Sequence, residues 1–226
     1  MLGMSKLPVE TWMTYVEAFI DQLPLRDCMN KCGVGLRTAW FMRRRIIECI
    51  QRYSPSFNAV AGNHVEIDET HFRDSYKDYR KGTMPRPARK SGKKAAKRGL
   101  SKQQVCVVTG IYDAGTSFLV VSGRCMLDKE RTYKAPAGHI SKGALVVTDK
   151  AGAYPAILER LGATLERTDT TEHAINRINS LNGRLKDFMH GFKGMSTKHL
   201  QSCLAWFQWT EAFKSAPTEQ RGTIEH

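Results

Sequence analysis

The spacing of apolar residues divides the chain into two regimes. From residue 7 to 53 they recur at helical intervals. Trp12, Val16, Phe19, Ile20 and Leu23 share one face, and Pro24 ends the run. A short helix is predicted over Leu25 to Lys31, then the turn Cys32-Gly33-Val34-Gly35, then a longer helix from about Leu36 to Arg52. After a linker at Ser54-Pro55-Ser56 the period drops to two. Val65-Glu66-Ile67-Asp68-Glu69-Thr70-His71-Phe72 alternates apolar and polar side chains and predicts a strand. Val105 to Tyr112 and Ser117 to Val121 predict two more strands, joined as a hairpin through Asp113-Ala114-Gly115. A connection through Pro136 and His139 leads to a continuous apolar strand, Ala144 to Thr148, which ends at Asp149. A helix carrying Tyr154, Ile157, Leu158 and Leu161 and closed by Gly162, a short strand near Thr164 to Arg167, and a long helix from about Ala174 to Phe188 complete the series. The order β-β-β-connection-β-α-β-α predicts an α/β domain, a mixed sheet with helices on its faces, preceded by a small all-α domain.

Charge adds a partner to this picture. The 226 residues hold 35 Lys and Arg against 22 Asp and Glu, a formal net charge of +13. Such an excess points to a polyanion. No long basic amphipathic stretch or membrane-length apolar run is present, so nucleic acid is favoured over a membrane, and the motifs below narrow it to double-stranded DNA. Helix, glycine-containing turn and basic helix is the helix-turn-helix pattern, and Arg37, Thr38, Arg43 and Arg44 on the second helix are candidate DNA contacts. The alternative is a plain three-helix unit with a solvated basic face. Residues 73–102 interrupt the strands with a basic, Gly- and Pro-broken insertion. Its Arg89, Lys90, Lys93, Lys94, Lys97 and Arg98 are expected to meet the DNA backbone, in a segment that orders on binding. Of the six cysteines only Cys28 and Cys32 are close in sequence, with no second pair to complete a zinc site. Four residues apart on a helix, they are read as packing, and free thiols fit a reducing cytoplasm.

Two aspartates raise the question of chemistry. Asp68 sits in a strand where a buried charge is costly unless answered. By itself it reads equally as a carboxylate paired with an Arg or capping a loop. Asp149 follows a strand and by itself reads as a helix N-cap. If their strands are neighbours, the two carboxylates converge and require a divalent cation, and an oxygen-only donor set suits Mg²⁺ or Mn²⁺. On the long helix, Ile178, Leu181, Leu185 and Phe188 form an apolar face, while Asn179, Asn182, Gly183 and Lys186 share a polar one. Asn179 could lend a carbonyl oxygen to a metal and Lys186 could reach a phosphate.

Three blocks in this order resemble a known family: Ile67-Asp68-Glu69-Thr70; Val147-Thr148-Asp149 with Tyr154 five residues on; and His173 through Asn179 to Leu185-Lys186. Over roughly residues 20–210 the chain is similar to bacterial insertion-sequence transposases of the DDE superfamily, in the branch whose signature ends in Asn and Lys. The resemblance implies an RNase H-like catalytic domain at 58–212 holding the insertion at 73–102. The helix-turn-helix pattern places a DNA-binding domain at 1–57. Two departures from the family are expected: many relatives carry an amino-terminal zinc ribbon, for which this chain starts too late, and after Trp209 the usual ending gives way to a loose tail at 213–226. The resemblance assigns Asp68, Asp149 and Asn179 as ligands of two Mg²⁺ or Mn²⁺ ions and Lys186 as the closing lysine. An Asn at the third position removes one negative charge from the cage relative to Glu. The chemistry implied is metal-assisted in-line displacement at phosphorus: nicking at terminal inverted repeats, then transfer of the freed 3′-hydroxyl into target DNA. A homo-oligomer on DNA and a bacterial cytoplasmic, nucleoid-associated location are expected. The rival expectations are a decayed or host-adapted copy that only binds DNA, and a metal-dependent nuclease without strand transfer.

Overall fold

The structure is a computed structural model that describes residues 6–53, 62–77, 79–80, 82–87, 103–113, 115–124, 129–148, 154–167, 175–192 and 195–215, with the main chain alone at 129, 131 and 132. It divides into two compact units, one of residues 1–55 with 202–226 and the other of 56–201.

In the helical unit, α1 (Val9–Ile20) buries Trp12, Tyr15, Ala18 and Phe19. The next helix, α2 (Leu25–Cys32), ends because Gly33 takes the left-handed conformation at φ 63°, which lets Val34 N donate to Met29 O and Gly33 N to Asn30 O. Gly33-Val34-Gly35 is thus a tight turn into α3 (Leu36–Tyr53), which buries Ala39, Met42, Ile46, Ile47 and Ile50. Tyr15 Oη donates to Ala39 O at 2.6 Å, tying α1 to α3. Burial pushes that phenol's pKa up to about 12. The C-terminal helix, α7 (Leu200–Ser215), joins this unit from Ser202 onward. Trp206 stacks on Phe19, with ring centroids 4.3 Å apart. The sequence reading places residues up to 212 with the sheet, whereas this stacking groups 202–215 with the helices. Of the loose tail expected at 213–226, residues 213–215 are helical, Phe213 stacks on Trp209, and the rest lie outside the described residues.

The second unit is built on five strands: β1 (His64–Arg73), β2 (Gln104–Tyr112), β3 (Ser117–Arg124), β4 (Leu145–Thr148) and β5 (Thr164–Arg167). Their order across the sheet is β3-β2-β1-β4-β5. The first three form an antiparallel meander, and β4 and β5 add in parallel. The described core is therefore the mixed-sheet, RNase H-like α/β fold that the resemblance implied. One face carries Val65, Ile67, Val108, Tyr112 and Phe118 against α4 (Lys129–Ala137) and α5 (Tyr154–Leu161). Gly110 is required there, because a Cβ at its position would come within 2.1 Å of the Phe118 ring across the strand pair. The other face takes α6 (Asn176–His190) through Ile178, Leu181 and Leu185. Edge strand β3 is covered in part by Gln201, whose amide donates to Leu119 O and accepts from Val121 N, both at 2.9 Å.

Two expectations change. The connection through Pro136 and His139 contains the nine-residue α4, with Pro136 inside it. Its short run offers few apolar positions, and it is held by Ala135 in the core and by Arg160, which lies over Tyr133 at 3.9 Å and pairs with Glu130 at 3.2 Å. The start of the basic insertion is also anchored. Asp74 N donates to Gln103 O, and Ser75 N to Thr197 Oγ1 at 2.8 Å. Arg86 pairs with buried Asp74 at 2.9 Å while its guanidinium lies over Tyr76. Arg124 also lies over Tyr76 and Lys198 over Tyr79.

Candidate active site on the central strand

Strand β1 occupies the centre of the sheet, so each of its side chains meets a helix-covered face. Alternation sends Val65 and Ile67 to the α4–α5 core and Glu66 and Asp68 toward α6. The two carboxylates on the α6 side are held differently. Glu66, 4% exposed, accepts from Arg177 Nε at 2.6 Å and from the backbone N–H of Ile178 at 2.8 Å. The same guanidinium donates to Asp113 at 2.6 Å. That ion pair holds the Asp113 carboxyl below its ordinary range, and the bonds to Glu66 and Asp113 raise the pKa of Arg177.

Asp68 is half-buried. Its Oδ2 accepts from Asn182 Nδ2 at 2.8 Å, and Asn182 is 4% exposed. Thr109, which faces Asp68 across the β1–β2 pair, places its Oγ1 3.0 Å from Asn182 Oδ1 and 3.0 Å from the backbone oxygen of Asp68.

The other expected residues fall as follows. The parallel β1–β4 register pairs Ile67 with Thr148, the residues that precede Asp68 and Asp149 in sequence. Asp149 itself lies outside the described residues. Asn179 and Lys186 are on α6 and exposed. Lys186 is close enough to His71 that, after burial, its charge is the second cause lowering that imidazole's pKa. Shared helical spacing made Asn179 and Asn182 equivalent in sequence, but only Asn182 lies against Asp68. Its Asn-x-x-Asn spacing was visible; its burial was not.

Among the described residues no cluster of three His, Cys, Asp or Glu side chains is poised to hold a metal. The chemistry of the site nevertheless fits a hard cation. The Asp68 carboxylate oxygen, oriented by a neutral amide, is a hard donor of the kind such a cation takes. Two residues further along the same face of β1, the buried Thr70 Oγ1 finds no hydrogen-bond partner among the described residues. An orphaned polar oxygen on the same face as a carboxylate suits a site that takes a cation or water. On the core side Tyr154 is fully buried, and burial, then the neighbouring Glu69 carboxylate, push its phenol well above its usual pKa.

The candidate DNA contacts also separate. Arg37 is exposed and Thr38 half-buried at the start of α3. Arg44 is exposed, bonded to Glu48 at 3.0 Å and lying over Trp40. Arg43 is engaged inside the helical unit: it donates to Leu23 O at 2.7 Å and to Cys28 Sγ at 3.2 Å, with its guanidinium 5.0 Å from the Trp206 ring. Cys28 is fully buried, in keeping with its reading as packing. Arg89, Lys90, Lys93, Lys94, Lys97 and Arg98 lie outside the described residues.

The class of protein built on this mixed sheet is given by the family match: a transposase. The chain belongs to the ISXO2-like transposase domain family, which residues 60–212 match. No curated protein matches the chain. Among solved structures it is similar to a simian T-cell lymphotropic virus intasome in complex with PP2A regulatory subunit B56 gamma, at 10% identity and TM-score 0.37, covering 75% of this chain and 56% of that one. It is also similar to a pre-cleavage Mos1 transpososome, at 9% identity and TM-score 0.29, with 98% and 80% covered. The Mos1 transposase paired-end complex with the left transposon end gives 12% identity and TM-score 0.31, with 93% and 77% covered. These likenesses are distant, and the assignment rests on the family match. No described helix is long and apolar enough to cross a membrane.

Proposed function

We propose that the protein is a bacterial insertion-sequence transposase that cleaves DNA at terminal inverted repeats and joins the freed 3′-hydroxyl to target DNA. Asp68, Asp149 and Asn179 are the ligand set, and Lys186 is the phosphate-facing cation. The observation that carries this reading is the parallel β1–β4 register. Ile67 pairs with Thr148, and the residue that follows each in the sequence is an aspartate. Mg²⁺ or Mn²⁺ held by these oxygens, as two ions, would supply charge stabilisation for an in-line displacement at phosphorus. Asp68 contributes a carboxylate of fixed orientation and Asn179 a neutral carbonyl oxygen from an exposed position on α6. The Lys186 ammonium, also exposed, neutralises a non-bridging phosphate oxygen.

α2, the Gly33 turn and α3 form the helix-turn-helix that selects the element ends, with Arg37, Thr38 and Arg44 toward DNA. Arg43 is left out of that set because its guanidinium is engaged within the unit. The basic segment Arg89 to Arg98 adds sequence-independent contacts to phosphates. Two ends are held at once, so the active form is a homo-oligomer on DNA, in the bacterial cytoplasm at the nucleoid.

The test is strand transfer by purified protein with Mg²⁺ or Mn²⁺ and a labelled element end, comparing wild type with Asp149→Ala and Asn179→Ala. Joined product from wild type and none from Asp149→Ala supports the reading. Equal product from both removes the catalytic assignment. Nicks without joined product would leave a nuclease, and DNA binding indifferent to Mg²⁺ and to Asp68→Ala would leave a DNA-binding protein.

A further inference from the structure

We propose that Asn182 is a positioning residue for Asp68, acting with Thr109 as a neutral clamp that holds the carboxylate in its metal-binding orientation. The inference rests on the reading of Asp68 as a metal ligand and extends it to two residues outside the proposed catalytic set.

The argument begins with what each group can do. An ionised carboxylate only accepts hydrogen bonds, so the amide nitrogen of Asn182 must be the atom that faces Asp68 Oδ2, at 2.8 Å. That leaves the amide oxygen toward Thr109 Oγ1, at 3.0 Å. Thr109 has one hydroxyl proton and two acceptors at 3.0 Å, Asn182 Oδ1 and the backbone oxygen of Asp68, and shares it between them. The three residues come from β1, β2 and α6, so the clamp ties Asp68 to two other elements. Asn182 is 4% exposed and Thr109 fully buried, so water competes little for these bonds.

The choice of an amide matters. Two residues earlier, Glu66 is held by a guanidinium, which answers its charge and leaves it a structural anchor. The amide of Asn182 orients Asp68 without adding a positive charge that would compete with a cation. Groups that orient a metal ligand in this way typically change metal affinity ten- to hundredfold when removed.

Mn²⁺ alone, titrated into the full chain and followed by the electron paramagnetic resonance signal of free ion, tests this. Wild type is compared with Asp68→Ala, Asn182→Ala, Thr109→Val and Thr109→Ser, with circular dichroism and Tm recorded for each. Asp68→Ala is expected to lose the ion. Asn182→Ala is expected to stay folded and bind Mn²⁺ about ten- to hundredfold more weakly. Thr109→Val should weaken binding several-fold, and Thr109→Ser, which keeps the hydroxyl, should restore it. A residue that only glued the helix to the sheet would lower Tm and leave Mn²⁺ affinity alone. That result in folded Asn182→Ala overturns the inference while leaving the metal reading in place. If Asn182→Ala does not fold, equal affinity in the Thr109→Val and Thr109→Ser proteins overturns it instead. Wild-type affinity in Asp68→Ala would remove the metal reading itself, and the clamp with it.

Discussion

Glu66 and Asp68 are neighbours on the same face of the same strand, and both meet α6, yet they do opposite things. Glu66 is buried and answered by Arg177 and by a backbone N–H. Its charge is compensated, so it serves to dock the start of α6 on the sheet. Asp68 is half-exposed and bonded by an uncharged amide. The amide sets its orientation and brings no charge of its own. A carboxylate in a strand therefore says little by type alone: the sign of its partner decides whether it holds the fold or serves a cation.

That contrast breaks most sharply at Asp68 itself. Asp68→Asn keeps the shape and removes the charge, so strand transfer in a gel assay should fall at least about a hundredfold while Tm stays close to wild type. A large loss of Tm with activity preserved would put Asp68 in the role of Glu66. The mirror change is Arg177→Ala, which leaves Glu66 buried without its cation. A fully buried pair broken in this way costs roughly 3–5 kcal/mol. The Arg177 side chain is 42% exposed, so about 2 kcal/mol is expected in urea denaturation. Asp113→Ala removes only the outer arm of the same guanidinium, from a side chain 53% exposed, and should cost less than about 1 kcal/mol.

The smallest expected effect is a pH dependence at His71, three residues beyond Asp68. Burial, then Lys186, lower its pKa in the folded protein, so the unfolded chain binds more protons. Its contribution is present above its ordinary value of about 6.5 and is lost as pH falls below it toward the lowered folded value. Denaturation of His71→Gln between pH 7 and 5 should therefore show a shallower loss of stability than wild type. An equal slope in both would show that other groups set the dependence.

Several features could be read from the residues because they are local. Gly33 ends α2 through its own backbone geometry, and the change from helical to two-residue spacing marks where the sheet begins. Pro24, expected to stop the first helix, instead stands at the N-terminus of the second, while α1 already ends at Ile20. The strand order β3-β2-β1-β4-β5 agrees with the mixed sheet expected from the β-β-β-β-α-β-α pattern. The features that were not legible depend on distant partners. Arg43 reads as one more cation on a basic helix until Trp206, far along the chain, lies under its guanidinium. The first part of the basic insertion reads as a loose charge run until Thr197, Arg124 and Lys198 meet Ser75, Tyr76 and Tyr79. The α4 helix is too short and too polar to announce itself without the core that receives Ala135.

The sequence by itself determined the strands, the helices other than α4 and α7 and their order, the basic character of the chain, and the three blocks that carry the family, because each is a property of neighbours along the chain. Only the tertiary structure decided which polar groups on those elements answer one another. Asn179 and Asn182 lie three residues apart on α6 and are indistinguishable by type or spacing. Packing of the helix over β1 and β2 buries Asn182 against Asp68 and Thr109 and leaves Asn179 exposed. Periodicity names a face of a helix, but the surface it packs against decides which residue of that face becomes part of the site.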